Sequence, residues 1–357
     1  MDFTLSDEQE MLRDTARALF TKEFPSTLLR DAAYDVTDAG PAEARAVFDA
    51  HLRDWFALGD PGVGAGGAAA AGGSSLVDLC LFLEESGTAV VDGPLWSSAA
   101  LCLPLLRAIG HPDADAVAAG ELTGTVALAG ADGHWVPNTE PTKCFVPDAA
   151  SVDRVAFVSA AGAGAGGGAE VVVADAARLT MREVATLDRS RAVFEVAVPA
   201  DGADSSPIAA DALTDVLERA TVALAAELVG AARWLREATL AYVGERVQFG
   251  RPVGSFQGLQ WMLVDAALVH ERATAAVYYA AMCIDADDPD RHSAVHVAKA
   301  AAGSAARRWA KDGLQAHGGI GYTWEHDLHL RLRRAYAADH LLGDTDWHHD
   351  RLADLIF

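Results

Sequence analysis

The chain has 357 residues, a formal net charge of −23 and 51% hydrophobic residues. A single core seldom extends beyond roughly 250–300 residues, so two or three packed units are expected. The apolar fraction excludes a disordered chain despite the acidity. The negative charge argues against nucleic acid or an anionic membrane surface as a partner, because both require a basic protein surface.

Cysteine usage and the N-terminus indicate a cytoplasmic protein. The spacing of Cys80, Cys102, Cys144 and Cys283 is not that of a zinc knuckle, and it does not indicate a disulfide scaffold. The first residues lack the basic and apolar segments of a signal peptide, and no uncharged apolar run reaches about 18 residues. We therefore expect a reduced, cytoplasmic protein with no membrane association.

The N-terminal third predicts helices. Ser6, followed by acidic residues, is typical of a helix start, and apolar residues recur at helical spacing up to Pro25. A second helix is predicted over 41–58, and a third begins at Ser74-Ser75 and extends to about Val90. Residues 62–73 are almost all Gly and Ala. They predict a flexible loop.

From about residue 120 the pattern changes to short β-branched runs separated by turn residues. The predicted strands are 124–128, 144–146, 154–158, 171–174, 180–183 and 193–198. Six short strands predict a small antiparallel barrel or sandwich. Helical spacing returns after Pro207, and helices are predicted over 209–245, 257–285, 293–316 and 326–342. Helices of this length are typical of an up-and-down bundle.

The predicted fold class is therefore α+β. The boundaries place an N-terminal helical domain at 1–119, a middle β domain at 120–206, and a C-terminal four-helix bundle at 207–357.

Two patterns that can bind ligands are rejected on context. The Gly-x-Gly-x-x-Gly spacing occurs twice, but neither copy leaves a strand and enters a helix, so neither predicts a dinucleotide site. Its glycines are Gly62, Gly64, Gly67, Gly162, Gly164 and Gly167. A histidine-rich and acidic C-terminus lacks a repeated ligand pair, so we expect no metal; its residues are His326, His329, His340, His348, His349, Asp339, Asp344 and Asp346. A solvated or subunit-contacting helix end explains them better.

Two other segments, each at the end of a predicted helix, are stronger candidates for a ligand site. In the first, Arg246 offers a planar fork suited to a diphosphate, Phe249 a flat surface, and Gln257 an amide. In the second, Gln315 precedes a turn whose three glycines expose backbone amides able to hold an anion. These glycines are Gly318, Gly319 and Gly321.

Together the two segments resemble the C-terminal domain of the acyl-CoA dehydrogenase family. The pairing of Arg-x-x-Phe-Gly and a later Gln with Gln-x-x-Gly-Gly-x-Gly-Tyr carries the resemblance, and the helix, strand, helix order extends it over nearly the whole chain. The resemblance implies a tetramer with FAD between subunits and α,β-dehydrogenation of an acyl-CoA. It assigns Arg246, Phe249, Gln257, Gln315, Gly318, Gly319 and Gly321 to the ADP portion of an FAD held mainly by a neighbouring subunit.

The chain departs from the family where catalysis takes place. The family's glutamate base falls on Leu342, or on Gly343 with one inserted residue, and neither can accept a proton. Asp344 is the nearest carboxylate, but its position and shorter side chain displace the oxygen. The position used for the base in some relatives, on the helix ending at the arginine, is Ala220.

The β region departs as well. The family's Lys-x-Trp-Ile-Thr-Asn aligns with residues 143–148, so that Phe145 replaces the tryptophan that packs on the flavin. Pro147 replaces the threonine that hydrogen-bonds near its ring. The family's preceding Thr-Glu-Pro segment is missing. Residues 139–141 have these letters but lie too close to Lys143, and we interpret them as a coincidence.

Three hypotheses follow. The first is the subunit of an α2β2 acyl-CoA dehydrogenase that carries no base, resembling the short paired dehydrogenases of actinobacterial steroid side-chain degradation. It would complete the FAD site of a second acyl-CoA dehydrogenase subunit, with electron-transfer flavoprotein or a similar protein as acceptor. The second is a self-sufficient homotetramer with Asp344 as a relocated base. The third is a non-enzymatic helical scaffold without flavin.

Overall fold

The computed structural model describes residues 4–35, 37–61, 74–161, 168–199 and 205–357. Both Gly-x-Gly-x-x-Gly segments and the loop predicted over 62–73 lie outside the described residues. The first elements are helices: α1 (Asp7–Glu23), α2 (Ser26–Leu29), α3 (Gly40–His51), α4 (Leu76–Ala89), α5 (Leu103–Ala108) and α6 (Asp113–Ala118).

The predicted starts of α1 and α4 are confirmed by their caps. Ser6 Oγ accepts the Gln9 amide at 3.2 Å while the Gln9 side chain accepts the Ser6 amide. This reciprocal pair satisfies two backbone donors that a helix start leaves free. Ser75 Oγ accepts the Asp78 amide at 3.1 Å in the same way.

Other local predictions differ from the structure. The helix predicted over 41–58 ends at His51 and continues as a 3₁₀ turn, Arg53–Gly59. A Cβ at Gly59 would lie 1.8 Å from the Ala99 carbonyl oxygen, so tertiary contact determines the path there. Helices α5 and α6 were not predicted. Helix α5 is buried over Leu103–Leu106, so its sequence lacks the amphipathic spacing from which a helix is predicted.

In the described part of the middle region, seven strands form two sheets. One has the order β1 (Gly124–Ala127), β3 (Arg154–Ala160), β4 (Ala169–Asp175), β7 (Ser205–Ile208); the other has the order β2 (Thr142–Pro147), β6 (Val193–Ala197), β5 (Met181–Val184). The six predicted strands are present, and β7 is additional. The prediction of a purely antiparallel barrel or sandwich was wrong, because β1 pairs with β3 in parallel. Val146, Phe157 and Phe194 belong to one apolar cluster between the strands.

The C-terminal helices are α7 (Ala210–Glu245), α8 (Gln257–Asp285), α9 (Arg291–His317), α10 (Leu328–Asp339) and α11 (Thr345–Ile356). A short hairpin of β8 (Val247–Gln248) and β9 (Arg251–Pro252) joins α7 to α8. The helix predicted over 326–342 ends three residues early, and α11 was not predicted. The intervening turn is held by a buried side chain, Lys299, whose Nζ donates to the carbonyls of Asp339 at 2.7 Å and Gly343 at 2.8 Å.

The N-terminal and C-terminal helices share one core along α4 and α7. A Cβ at Gly87 would lie 2.1 Å from the Glu227 carbonyl oxygen, and one at Gly230 would lie 1.8 Å from that of Glu84. The two helices can therefore approach only because both positions are glycine. The order of helices, strands and helices confirms the α+β fold class. Within the described ranges, no helix combines the length and the apolar character needed to cross a membrane.

Candidate functional site

The residues that the family resemblance assigns to FAD lie at one end of the helical bundle. Tyr242, one turn before the end of α7, stacks on His317, the last residue of α9, with ring centroids 4.5 Å apart. The ends of α7 and α9 are therefore adjacent. Arg246 is the C-terminal cap of α7 and Gln257 is the first residue of α8.

Arg246 is exposed and is fixed through its backbone. Its amide donates to the Tyr242 carbonyl and its carbonyl accepts the Val253 amide, each at 2.8 Å. Among the described residues it forms no ion pair. Phe249 is 93% exposed at the tip of the β8–β9 hairpin. Its φ of 52° and the φ of 78° at Gly250 give the paired left-handed conformation of a tight hairpin turn.

The glycine turn after α9 separates into open and packed positions. A Cβ at Gly318 or Gly319 would meet nothing within 4 Å, so the backbone there is open to a ligand. Gln315 is exposed as well. Gly321 differs, because it is buried and a Cβ there would lie 3.0 Å from His317 Cβ. The side chains of Arg246, Phe249, Gln257 and Gln315 are thus exposed, the backbone at Gly318 and Gly319 faces open space, and Gly321 packs inside the turn.

A cavity of 660 Å³ lies between the β region and the last helices, within the size range of small-molecule sites. Phe145, which the resemblance aligns with the family's tryptophan, lines it together with Trp135. Gly343 and Asp344 line it from the turn before α11. Pro147 is buried in β2 beside Val193, so it presents no hydrogen-bond donor. Glu140 belongs to the segment 139–141, which has the same three residue types as the family's Thr-Glu-Pro. Its carboxylate accepts a hydrogen bond from the Ala131 amide at 2.9 Å.

The residues on which the resemblance places the family's base, Leu342 or Gly343, form a structural turn. Leu342 is buried with a φ of 58°, and its carbonyl accepts from His348 Nε2 at 3.1 Å. Gly343 has a φ of 95°, and a Cβ there would lie 2.5 Å from the Trp347 ring. Asp344 caps α11, because its Oδ1 accepts the Trp347 amide at 2.8 Å. One carboxylate oxygen of Asp344 is thus engaged in a helix cap.

The residue on α7 that the resemblance gives as the alternative base position, Ala220, is inaccessible. Ala220 is fully buried, and its carbonyl accepts from Trp96 Nε1 at 3.1 Å. Glu218 carries the carboxylate that is nearest to Ala220 along the helix. Its Oε1 lies 2.5 Å from His292 Nδ1.

A buried ionic cluster beside the cavity was not predicted from the sequence. The Arg334 guanidinium donates to Asp188 and to Glu227, the latter at 2.6 Å, and Arg191 Nη2 donates to the other Glu227 oxygen at 2.7 Å. Burial would raise the pKa of Glu227, but Arg191 and Arg334 outweigh that effect and hold the pKa below its usual value. These residues lie far apart in the chain, so no local spacing relates them.

The histidine-rich C-terminus forms ring and backbone contacts. His329 stacks on Trp324 at 4.5 Å, and His348 Nδ1 lies 2.8 Å from His296 Nδ1. Within the described residues, no group of three or more His, Cys, Asp or Glu side chains could hold a metal ion. The four cysteines are free thiols.

Comparison with known proteins relates both the sequence and the fold to one family. The family model "Acyl-CoA dehydrogenase, C-terminal domain" matches residues 211–357. The acyl-CoA dehydrogenase IpdE2 of Mycobacterium tuberculosis is 31% identical over 95% of this chain and 94% of its own length. The acyl-CoA dehydrogenase FadE34 of the same organism is 32% identical over 96% of this chain, which spans 47% of FadE34.

A solved structure shows the same fold over almost the whole chain. The structure described as the Tcur3481–Tcur3483 steroid ACAD G363A variant has a TM-score of 0.79 and 25% identity. The match covers 99% of this chain and 98% of that one. The chain therefore belongs to the acyl-CoA dehydrogenase family, whose members are oxidoreductases that act on acyl-CoA.

Proposed function

We propose that this chain is the subunit without a base of a hetero-oligomeric, α2β2 acyl-CoA dehydrogenase. It completes an FAD site on a second acyl-CoA dehydrogenase subunit. The assembly catalyses α,β-dehydrogenation of an acyl-CoA thioester and passes electrons to electron-transfer flavoprotein or a similar acceptor. FAD, when bound, accepts the hydride. The residues of this chain hold and orient the diphosphate and adenosine end of that cofactor.

The observation that carries the proposal is the environment of Arg246. In a protein with a net charge of −23, it is an exposed cation with no ion pair among the described residues. It lies at the same end of the bundle as the open backbone at Gly318 and Gly319, because Tyr242 of α7 stacks on His317. This donor set fits a diphosphate, because a guanidinium fork and backbone amides are its usual ligands. Gln257 and Gln315 add amide groups at the same bundle end.

The residues around the flavin-ring and base positions support assignment of the chemistry to a second subunit. Leu342 and Gly343 cannot accept a proton, one oxygen of Asp344 caps a helix, and Pro147 offers no hydroxyl. A subunit that retained only the contacts to a neighbour's cofactor would lack the base and the hydroxyl near the flavin ring but keep the donors for the diphosphate.

The surface of α8 supports association with another chain. Trp261, Val264 and Leu268 lie on it with exposed fractions of 62%, 51% and 66%. Apolar side chains exposed within two helical turns are typical of a protein interface. The likeness to a steroid ACAD supports a bulky acyl group, such as a steroid side chain, as the substrate.

The test is flavin binding by this chain alone and by this chain co-expressed with a second acyl-CoA dehydrogenase subunit that carries the glutamate base. We expect the chain alone to be colourless and inactive, and the pair to retain FAD and turn over. Arg246→Met in the pair should release FAD, since a charged hydrogen bond to a phosphate is worth about 1.5–3 kcal/mol. Arg178→Met, at an exposed site in the β region, is the matched control. Stoichiometric FAD and turnover in the chain alone would refute the proposal.

A second candidate is a homotetramer that uses Asp344 as its base. It is favoured by the position of Asp344 in the cavity wall, with Oδ2 3.8 Å from His340 Nδ1. Asp344→Asn keeps a residue able to cap α11 and removes the proton acceptor. Flavin reduction by substrate should then be lost; unchanged reduction excludes Asp344.

The hypothesis of a non-enzymatic scaffold is tested with the same preparations, namely the chain alone, the pair and the Arg246→Met variant. It requires every assembly to be colourless and Arg246→Met to leave partner binding unchanged.

A further inference from the structure

The wall of the 660 Å³ cavity combines apolar side chains with three aspartates, two histidines, a threonine, a tyrosine and one arginine. Trp135, Phe145, Leu341 and Trp347 give it large apolar surfaces. Of the residues described along that wall, Arg191 is the only arginine or lysine. It follows β5, in the loop that also carries Asp188.

The Arg191 guanidinium has fewer acceptors than it can use. It is 7% exposed, and its Nη2 donates to Glu227. Its Cζ lies 5.5 Å from the centre of the Trp96 ring. Nε and Nη1 are buried and have no hydrogen-bond acceptor among the described residues. Buried donors are normally paired, so a water or a ligand oxygen in the cavity is the expected partner for this side chain.

The surrounding charges favour a neutral oxygen over an anion. Arg191 and Arg334 are balanced by Glu227 and Asp188, so these four groups carry no net charge. Asp148 also faces Arg191, and burial raises the pKa of its carboxyl, which favours the neutral form. A ligand carboxylate would add an uncompensated negative charge to this buried site. A carbonyl oxygen would accept from Arg191 and leave the balance intact.

We propose that Arg191 selects acyl ligands that carry a carbonyl oxygen on the acyl chain for the cavity of this chain. Hydrocarbon chains leave the donors unpaired, and carboxylate-terminated chains disturb the charge balance. Sites with buried donors discriminate strongly against ligands that lack the matching acceptor. The inference rests on the proposed function, because it takes an acyl-CoA as the ligand. It concerns binding alone and holds whichever subunit carries out the chemistry.

The experiment measures binding by calorimetry, without turnover, to the full chain in the assembly it forms. The probes are octanoyl-CoA, analogues of it with one ketone along the chain, and suberoyl-CoA, which ends in a carboxylate. Arg191→Met removes the donors at similar volume. Arg191→Lys keeps the positive charge beside Glu227 without the guanidinium, so one informative variant remains if the first fails to fold. Arg189→Met, at an exposed neighbour outside the cavity wall, is the matched control.

We expect at least one ketone analogue to bind about 10- to 100-fold more tightly than octanoyl-CoA, which is the range of one charged hydrogen bond. The preference should disappear in both Arg191 variants and persist in Arg189→Met. Because every substitution is in this chain, such a change reports its cavity and not a partner's. Equal affinities in the unaltered chain, a preference that survives both variants, or tighter binding of suberoyl-CoA would each overturn the inference. Failure of all acyl-CoA probes to bind would overturn the proposed function as well.

Discussion

Arg334 and Asp188 form a buried ion pair that joins α10 to the loop between β5 and β6. Both side chains are 1% exposed, and Asp188 also accepts the Tyr34 hydroxyl at 3.1 Å. Burial would raise the pKa of Asp188, but the adjacent Arg334 holds it below its usual value. The pair connects three parts of the chain at the edge of the cavity.

Removal of Arg334 should destabilise the fold severely. Arg334→Met leaves Asp188 and Glu227 as buried carboxylates with less compensation, and we expect a loss of about 3–5 kcal/mol in the free energy of unfolding. Urea denaturation measures it. Arg189→Met, in the same loop but exposed, should change stability by less than about 1 kcal/mol. A loss below about 1 kcal/mol for Arg334→Met would show that the pair does not hold this junction together.

The glycine at position 343 is required by the turn before α11. Its φ is 95°, and a Cβ added there would lie 2.5 Å from the Trp347 ring. Gly343→Ala should therefore cost about 1–3 kcal/mol. Gly244→Ala is the control, because its Cβ would meet nothing within 4 Å in α7. That substitution should be neutral or stabilise by up to about 1 kcal/mol. Thermal melts compare the two, and equal stability of both variants contradicts the assigned turn.

Acid should destabilise the protein through buried histidines. His270 is 3% exposed, and burial lowers its pKa from 6.5 to about 4. The unfolded chain binds a proton at this site below pH 6.5 that the folded chain takes up only near pH 4, so stability falls as the pH falls across that window. The shift corresponds to at most about 3 kcal/mol at pH 4.

His270→Leu should therefore flatten the pH dependence of unfolding between pH 6.5 and 4. His349→Gln, at an exposed histidine of α11, should leave it unchanged. Urea titrations at several pH values measure both. An unaltered slope in His270→Leu would mean that His270 titrates alike in the folded and unfolded chains.

The α8 face should be needed for assembly. Trp261→Glu places a charge within the exposed patch formed with Val264 and Leu268, and it should reduce the molar mass measured by light scattering by weakening association. Leu355→Glu, at a 53% exposed leucine of α11, is the matched control. If both variants keep the mass of the unaltered assembly, this face is not an interface.

The long helices and their caps could be predicted from local pattern. Helices α7 and α8 agree with the predicted 209–245 and 257–285 within one residue, because apolar spacing and turn residues act over a few positions. The six predicted strands are found where β-branched runs occur, whereas β7 has no such run. The parallel pairing of β1 with β3 could not be predicted, since pairing depends on residues about 30 positions apart. Helix α5 was not predicted because it is buried and lacks an amphipathic pattern. Helix α11 was not predicted because the turn before it was not recognised in the sequence.

By itself, the sequence determined the order of helices and strands and the two segments that resemble the family. It also led to the prediction that Leu342 or Gly343 replaces the usual base. Each of these depends on residue type and short spacing. Tertiary structure alone decided that Gly321 packs while Gly318 and Gly319 stay open, that Asp344 caps a helix at the cavity wall, and that Arg191, Arg334, Asp188 and Glu227 meet. Exposure and ion pairing arise when distant segments pack, so no local pattern records them.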